Sequence, residues 1–165
     1  MNDGINTEEF TLQYIRVDQI ISIALMAKFD VEAAYRNIPV HPGDCCLLGM
    51  KWQGHLYVDL TLPFGLRSAP FIFNSVADMV EWILLNEHHL SDLLHYLDDF
   101  ITTGPPQSSQ CAHNLTMATL VCQRLGLPLH PNKCIGPTTS LTVLGIELDS
   151  IQQAARLPED KLTAL

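Results

Sequence analysis

The stretch Tyr96-Leu97-Asp98-Asp99-Phe100 sets two adjacent carboxylates into an apolar segment, with Leu93-Leu94-His95 before it and Phe100-Ile101 at its end. Gly104-Pro105-Pro106, a sequence that would end a strand, follows closely. The most economical structure for such a segment is a β-hairpin with the acids at its tip. Burying two like charges side by side is costly, so we expect a cation to lie against them.

A third carboxylate has a similar apolar setting far upstream, in Met26-Ala27-Lys28-Phe29-Asp30-Val31. Oxygen ligands on separate elements that converge can bind two metal ions about 3.5 to 4 Å apart, the arrangement used for phosphoryl transfer. Mg²⁺ prefers such hard oxygens and keeps coordination positions for substrate phosphates. Asp30, Asp98 and Asp99 therefore indicate a metal-dependent phosphoryl-transfer site. An Asp pair in a turn, taken alone, is more often a solvated loop.

The size and composition of the chain indicate one globular domain. Its 165 residues are 47% hydrophobic, enough for a substantial core. The aliphatic run 20–27 is far shorter than the roughly 20 residues that a membrane span needs. We therefore expect an intracellular protein, cytoplasmic or nuclear, without a membrane partner.

The net charge of −9 is unusual for a protein that handles nucleic acid, because such surfaces normally display clustered Lys and Arg. Residues 68–123 contain no Lys or Arg at all. One interpretation is an acidic, solvated surface. The other is that bound metals offset part of the charge and that basic segments gripping nucleic acid lie outside this chain.

The five cysteines show no Cys-x-x-Cys spacing, so neither a disulfide framework nor a structural zinc site is indicated. Reduced thiols are expected. Cys111-Ala112-His113 offers two potential zinc ligands, but ordinary helix residues are the favoured interpretation.

Hydrophobic spacing predicts an α+β fold, ferredoxin-like, with a mostly antiparallel sheet and helices packed on one face. The helix predicted over 68–86 buries Ile72, Val76, Met79 and Ile83, and the helix predicted over 108–125 buries Leu115, Ala118, Cys122 and Leu125. The predicted elements are a helix over 17–28, a strand from Phe29, a hairpin of 45–51 with 55–60, a helix over 68–86, the hairpin 93–103, a helix over 108–125 ended by Gly126, a last strand over 141–148, and a helix start at 157–162.

Several of these segments resemble the palm motifs of reverse transcriptases, in the same order. The three longest are Phe29-Asp30-Val31-Glu32-Ala33-Ala34-Tyr35, Leu62-Pro63-Phe64-Gly65-Leu66-Arg67-Ser68-Ala69-Pro70 and Tyr96-Leu97-Asp98-Asp99. Gly126-Leu127-Pro128, Asn132-Lys133-Cys134 and Leu144-Gly145-Ile146 extend the resemblance over nearly the whole chain. Within that family, the sequence is most similar to retrotransposons of the long-terminal-repeat lineages, in particular DIRS-type elements.

The resemblance implies a role for each matching residue around the metals. Asp30 and Asp98 would be the principal ligands of two Mg²⁺ ions, or of Mn²⁺, with Asp99 adjacent and the backbone carbonyl of Val31 completing a shell. Lys133 would be the general acid that protonates the leaving pyrophosphate, a function typically worth 10²- to 10⁴-fold in rate. A solvated surface lysine is the alternative.

Other residues would contact substrate or primer. Tyr35 would be a steric gate against a 2′-hydroxyl, with a core tyrosine as the alternative, and Phe64 and Gly65 would pack near nucleotide and template. Arg67 would touch phosphate or template, with surface solvation an equal alternative. Leu144 and Gly145 would form the primer-grip hairpin, with strand core as the alternative.

The function implied is that of an RNA-directed DNA polymerase acting on an RNA or DNA template, a primer and deoxynucleoside triphosphates. Residues 1–156 would be the palm, with fingers partly missing upstream, and 157–165 the start of a truncated thumb helix of a parent polyprotein. One alternative is a truncated or inactive retroelement fragment that folds or binds a partner without polymerising. Another is a nucleotide cyclase, which shares a palm-like sheet.

Overall fold

The structure is a computed structural model that describes residues 24–162, without the side chain of Asp160. Its strands are β1 (Leu25–Asp30), β2 (Gly49–Trp52), β3 (His55–Val58), β4 (Leu93–Tyr96), β5 (Asp99–Gly104), β6 (Ile135–Thr138), β7 (Ser140–Val143), β8 (Ile146–Asp149) and β9 (Ala154–Arg156). Its α-helices are α1 (Ala69–Trp82), α2 (Gln110–Leu125) and α3 (Glu159–Leu162). The described residues form two compact units, one of Ala33–Val76 and one of 24–32 with 77–162.

The larger unit is organised on an antiparallel sheet with the strand order β4-β5-β1-β6. β1 lies inside this sheet, and Met26, Ala27 and Phe29 on both of its faces are fully buried. The predicted helix over 17–28 is therefore wrong for Leu25–Lys28, while 17–23 lie outside the described residues. A strand that is buried on both faces has a continuous apolar sequence, which periodicity cannot distinguish from a buried helix.

Aromatic packing joins the three strands on one face of the sheet. Phe29, Phe100 and His95 are register neighbours on β1, β5 and β4. The rings of Phe29 and Phe100 stack with centroids 4.7 Å apart, and His95 stacks on Phe100 at 5.2 Å. On the same side, His95 Nε2 lies 3.0 Å from Asp78 Oδ1, which connects β4 to the second half of α1.

Helix α2 packs against β1, β5 and β6 through a face that includes a polar side chain. Buried Asn114 donates through Nδ2 to Thr102 Oγ1 at 2.8 Å and to the Ser91 carbonyl at 3.0 Å. Ala118 and Cys122 are buried as predicted, and the helix ends at Gly126 with φ 73° as predicted. Leu125 is exposed, so its assignment to the buried face was wrong.

Helix α1 and the π-helical turn Ile83–Glu87 after it confirm the helix predicted over 68–86. The prediction of its buried face was wrong by one position. Phe73, Ala77, Val80 and Leu84 are buried, whereas Ile72 and Met79 are exposed. Both sets are apolar at helical spacing, so the sequence pattern alone could not choose between them.

In the smaller unit, β2 and β3 form the predicted hairpin, with Gln53 and Gly54 at its turn and both at positive φ. The hairpin is shorter than predicted, because Cys45–Leu48 forms a 3-10 turn instead of extending the strand.

The predicted last strand over 141–148 is wrong, because β7 and β8 are two strands of a hairpin that β9 continues into a three-stranded sheet. Leu144 and Gly145 form its turn with φ of 48° and 78°, the pair of left-handed residues typical of a type I′ turn. Leu141, Val143 and Leu148 pack with Met26 and Ile101 in one buried cluster. The helix start predicted at 157–162 is confirmed by α3.

The observed order of helices and antiparallel strands confirms the α+β class. No helix within residues 24–162 is long and apolar enough to cross a membrane.

Candidate active site

Asp30 is the last residue of β1 and is almost completely buried, with 3% of its surface exposed. Its register partner is Asp99, the first residue of β5. Opposite residues of an antiparallel pair project from the same face. The central strand therefore brings the upstream carboxylate to the Asp98-Asp99 pair, as the sequence predicted.

Asp98 lies at the tip of the β4–β5 hairpin, in a turn with Leu97. Leu97 has φ 54°, a left-handed value that is uncommon for a residue with a side chain. The Asp98 carbonyl accepts a hydrogen bond from the Val31 N–H at 3.1 Å. This bond ties the hairpin tip to the residue after Asp30. We call Asp30, Asp98 and Asp99 the acid cluster.

Lys133 reaches the acid cluster through a segment that pairs with the end of β1. The His130 N–H donates to the Asp30 carbonyl at 2.9 Å, and the Glu32 N–H donates to the Pro128 carbonyl at 2.8 Å. The 3-10 turn Pro131–Lys133 follows at once. As a result, the Lys133 ammonium lies 2.7 Å from Asp30 Oδ2, across 103 positions of sequence.

Burial and the charges of neighbouring carboxylates raise the pKa of both Asp98 and Asp99. Burial raises the pKa of Asp98, and the Asp30 charge raises it further. Burial likewise raises the pKa of Asp99, to which the charges of Asp98 and Asp30 both add. The hydrogen bond to Asp30 raises the pKa of Lys133. The cluster therefore holds more negative charge than its surroundings stabilise.

Lys28 is a cation that the sequence analysis missed. It lies two residues before Asp30 on β1, on the same face, and its charge lowers the pKa of Asp99. Its ammonium donates to the Thr142 carbonyl of β7 at 2.6 Å. Strand alternation through Met26, Lys28 and Asp30 would have revealed it.

The smaller unit brings together other residues singled out from the sequence. The Tyr35 ring lies 5.1 Å from that of Phe64 and 5.9 Å from that of Phe73, centroid to centroid. Phe64 is 70% exposed, and Gly65 beside it has φ 85°. Arg67 is exposed. Phe73, on α1, is the member of this aromatic group that sequence reasoning missed.

Leu144 and Gly145 form the tight turn between β7 and β8, and Leu144 is 49% exposed. The strand-core alternative for this pair is therefore wrong. The five cysteines are free thiols, and Cys111 is buried in α2.

A family model described as reverse transcriptase (RNA-dependent DNA polymerase) matches residues 3–148, most of the chain. The chain belongs to the reverse transcriptase family.

Two curated relatives of this reverse transcriptase chain are polyproteins of mobile or viral elements. One is the retrovirus-related Pol polyprotein from transposon 412 of Drosophila melanogaster, 28% identical over 98% of this chain and 12% of that protein. The other is Polyprotein P3 of Commelina yellow mottle virus, 27% identical over 90% of this chain and 8% of that protein. The chain thus spans about a tenth of the length of these relatives. The narrower DIRS-type assignment stays a prediction.

Solved reverse transcriptase structures share the fold. The foamy viral protease-reverse transcriptase in complex with dsDNA superposes with a TM-score of 0.72 at 19% identity, covering 94% of this chain and 32% of that one. The same viral enzyme in complex with an RNA/DNA hybrid gives a TM-score of 0.69 at 18% identity, covering 93% and 20%.

Reverse transcriptases generally use divalent metals, and the acid cluster fits such ions in donor type and in charge. Its carboxylates are hard oxygen donors whose repulsion a cation would relieve. Within residues 24–162, no three His, Cys, Asp or Glu side chains are grouped closely enough to form a metal cage by themselves. Mg²⁺ sites in nucleotide-handling enzymes complete their coordination with water and substrate phosphates, so a full protein cage is not required.

Proposed function

We propose that this chain carries the catalytic centre of an RNA-directed DNA polymerase, with the acid cluster as its metal-binding group. The observation that supports this most strongly is the register of Asp30 with Asp99, together with the contact of Lys133 with Asp30. Two-metal nucleotidyl transfer requires carboxylates that converge, and a lysine beside them can act as a general acid; here these groups come from three separate parts of the sequence.

In the proposed reaction, a primer 3′-hydroxyl oxygen forms a bond to the α-phosphorus of a deoxynucleoside triphosphate, and its proton passes to solvent water. The bond from that phosphorus to the bridging oxygen breaks, and pyrophosphate leaves. Two Mg²⁺ ions, or Mn²⁺, would activate the hydroxyl and neutralise phosphate charge. Asp30, Asp98 and the Val31 carbonyl would hold them, and Asp99 would add negative charge beside them.

Lys133 is the proposed proton donor to the leaving pyrophosphate. The Lys133 side chain is 50% exposed, so it can reach a phosphate oxygen that approaches from solvent. Loss of a general acid slows a reaction by about 10²- to 10⁴-fold without abolishing it.

The template, primer and nucleotide are the proposed partners of the parent polyprotein. The net charge of −9 leaves phosphate neutralisation to metals and to basic segments elsewhere in that polyprotein. The following roles stay predictions: a sugar gate at Tyr35, nucleotide contacts by Phe64, Gly65 and Arg67, and a primer grip at Leu144 and Gly145. Replacing Tyr35 by Ala in the parent enzyme should raise ribonucleotide incorporation relative to deoxynucleotide incorporation.

Primer extension by the full-length parent enzyme with Mg²⁺ tests the proposal. Asp98→Asn and Asp99→Asn should each lower the extension rate by about 10³-fold, because they remove several kcal/mol of transition-state stabilisation. Glu87→Gln, an exposed acid outside the acid cluster, is the matched control and should extend normally. Extension at the wild-type rate in both Asn variants would overturn the assignment of the centre.

A disabled palm is the second candidate, because no three His, Cys, Asp or Glu side chains within residues 24–162 are grouped closely enough to hold a metal ion by themselves. Measuring Mn²⁺ and nucleotide binding on the 165-residue chain separates the two candidates. Metal binding without nucleotide binding supports the disabled palm.

A further inference from the structure

The ammonium of Lys133 forms an ion pair with the Asp30 carboxylate. Lys133 Nζ lies 2.7 Å from Asp30 Oδ2, within hydrogen-bonding distance of a full negative charge. The Asp30 side chain is only 5% exposed. Few directions of approach to this carboxylate remain, and Lys133 takes one of them.

The two partners of this ion pair differ in their freedom to move. Asp30 is fixed at the end of a central strand, where its carbonyl accepts from the His130 N–H at 2.9 Å. The Lys133 side chain is 50% exposed and extends from a 3-10 turn at the surface. A long, half-exposed side chain can leave its partner for solvent at small cost. Asp30 cannot follow it.

A divalent cation and an ammonium cannot share one carboxylate oxygen without strong like-charge repulsion. We propose that Lys133 is a displaceable counter-cation of Asp30, which neutralises the buried carboxylate until a divalent metal binds and is then released toward solvent and the phosphates. This inference rests on the proposed function, because it assigns metal binding to Asp30. It gives Lys133 a second role, as a competitor of the metal.

Lys28 provides a matched control for this role. It is a lysine on the same face, and its charge acts on Asp99, but its ammonium is bound to the Thr142 carbonyl. Removing Lys28 changes the charge near the acid cluster without freeing Asp30. Competition for one oxygen therefore predicts a difference between the two lysines that general electrostatics does not.

Calorimetric titration of the 165-residue chain with Mn²⁺ measures the competition. Lys133→Met should bind Mn²⁺ about tenfold more tightly than wild type, the size expected for loss of one charged, half-exposed hydrogen bond. Lys133→Arg should not tighten binding, because the guanidinium also pairs with carboxylate. Lys28→Met should change the Kd by less than about threefold. Asp30→Asn should abolish binding, and circular dichroism should show each variant folded.

Acetylation of lysines, read by mass spectrometry, follows the released ammonium directly. Adding Mn²⁺ to the wild-type chain should raise the acetylation rate of Lys133 several-fold, since a freed amine reacts faster, and leave that of Lys28 unchanged. The counter-cation role is overturned if Asp30→Asn abolishes Mn²⁺ binding, but Lys133→Met does not tighten it and Mn²⁺ does not raise the acetylation rate of Lys133. The proposed function would then stay in place. Failure of both wild type and Lys133→Met to bind Mn²⁺ overturns the metal site and this role together.

Discussion

Asp30 and Asp99 lie directly opposite each other on the antiparallel strands β1 and β5, at the end of one and the start of the other. The pairing places both carboxylates on the same face of the sheet, with Asp98 in the adjoining turn. Their proximity raises the pKa of Asp99, after burial, which is the largest cause. The fold therefore concentrates charge at this point at some cost to its stability.

Replacing Asp99 by Asn should stabilise the chain at neutral pH. An acid whose folded pKa is raised above its ordinary 3.8 stabilises the fold below that value and loses this contribution as pH rises through the folded pKa. The gain in the free energy of unfolding should be about 0.5 kcal/mol at pH 7, since solvent screening weakens the repulsion. Urea denaturation of both proteins measures it.

The same comparison at pH 3 is the internal control, because both the folded and the unfolded acid are then protonated and the gain should vanish. Glu87→Gln should show no gain at either pH. A gain of equal size at pH 3 and pH 7 would mean that packing, and not charge, is responsible.

Divalent metal binding should weaken as the pH falls, and the weakening should begin at a higher pH than it would for a site built from aspartates of ordinary pKa. Protonated Asp98 and Asp99 do not bind cations, and burial raises the pKa of both above 3.8. The measurement is the Kd for Mn²⁺ on the isolated chain between pH 4 and pH 7.5. A Kd that stays constant down to the ordinary aspartate pKa would contradict the raised values.

Gly136→Ala should destabilise the chain by more than about 3 kcal/mol, since it overpacks a close strand contact. A Cβ at Gly136 would lie 2.6 Å from both the Ala27 Cα and the Met26 carbonyl oxygen. Gly126→Ala is the control: its φ is also positive, at 73°, but nothing lies within 4 Å of the added Cβ. It should cost only about 1 to 2 kcal/mol of backbone strain. Thermal unfolding of both variants distinguishes steric overlap from strain.

Asn114→Ala should destabilise the chain by about 2 to 3 kcal/mol. It leaves buried Thr102 Oγ1 and the Ser91 carbonyl without the amide that satisfies them at 2.8 and 3.0 Å. Thr116→Ala, whose hydroxyl donates only to the Ala112 carbonyl within α2, should change stability by less than about 0.5 kcal/mol. Equal effects in chemical denaturation would show that Asn114 does not anchor α2 to β5.

The local sequence pattern was sufficient to predict those structural features that depend only on neighbouring residues. The Asp98-Asp99 hairpin, the helix end at Gly126 and the turn at Gln53-Gly54 follow from turn and capping preferences that act over a few residues. The pattern failed where burial on two faces removes periodicity, as in β1, and where two apolar faces compete, as in α1.

The sequence by itself determined that carboxylates are set in apolar segments, and that these segments occur in the order typical of a reverse transcriptase palm. Tertiary structure alone decided which charges meet. Strand register put Asp30 opposite Asp99, and the pairing of residues 128–130 with the end of β1 carried Lys133 to within 2.7 Å of Asp30. The reason is physical: local preferences act over a few residues, whereas the charges that define this site are separated by up to 103 positions and meet only through sheet register and burial.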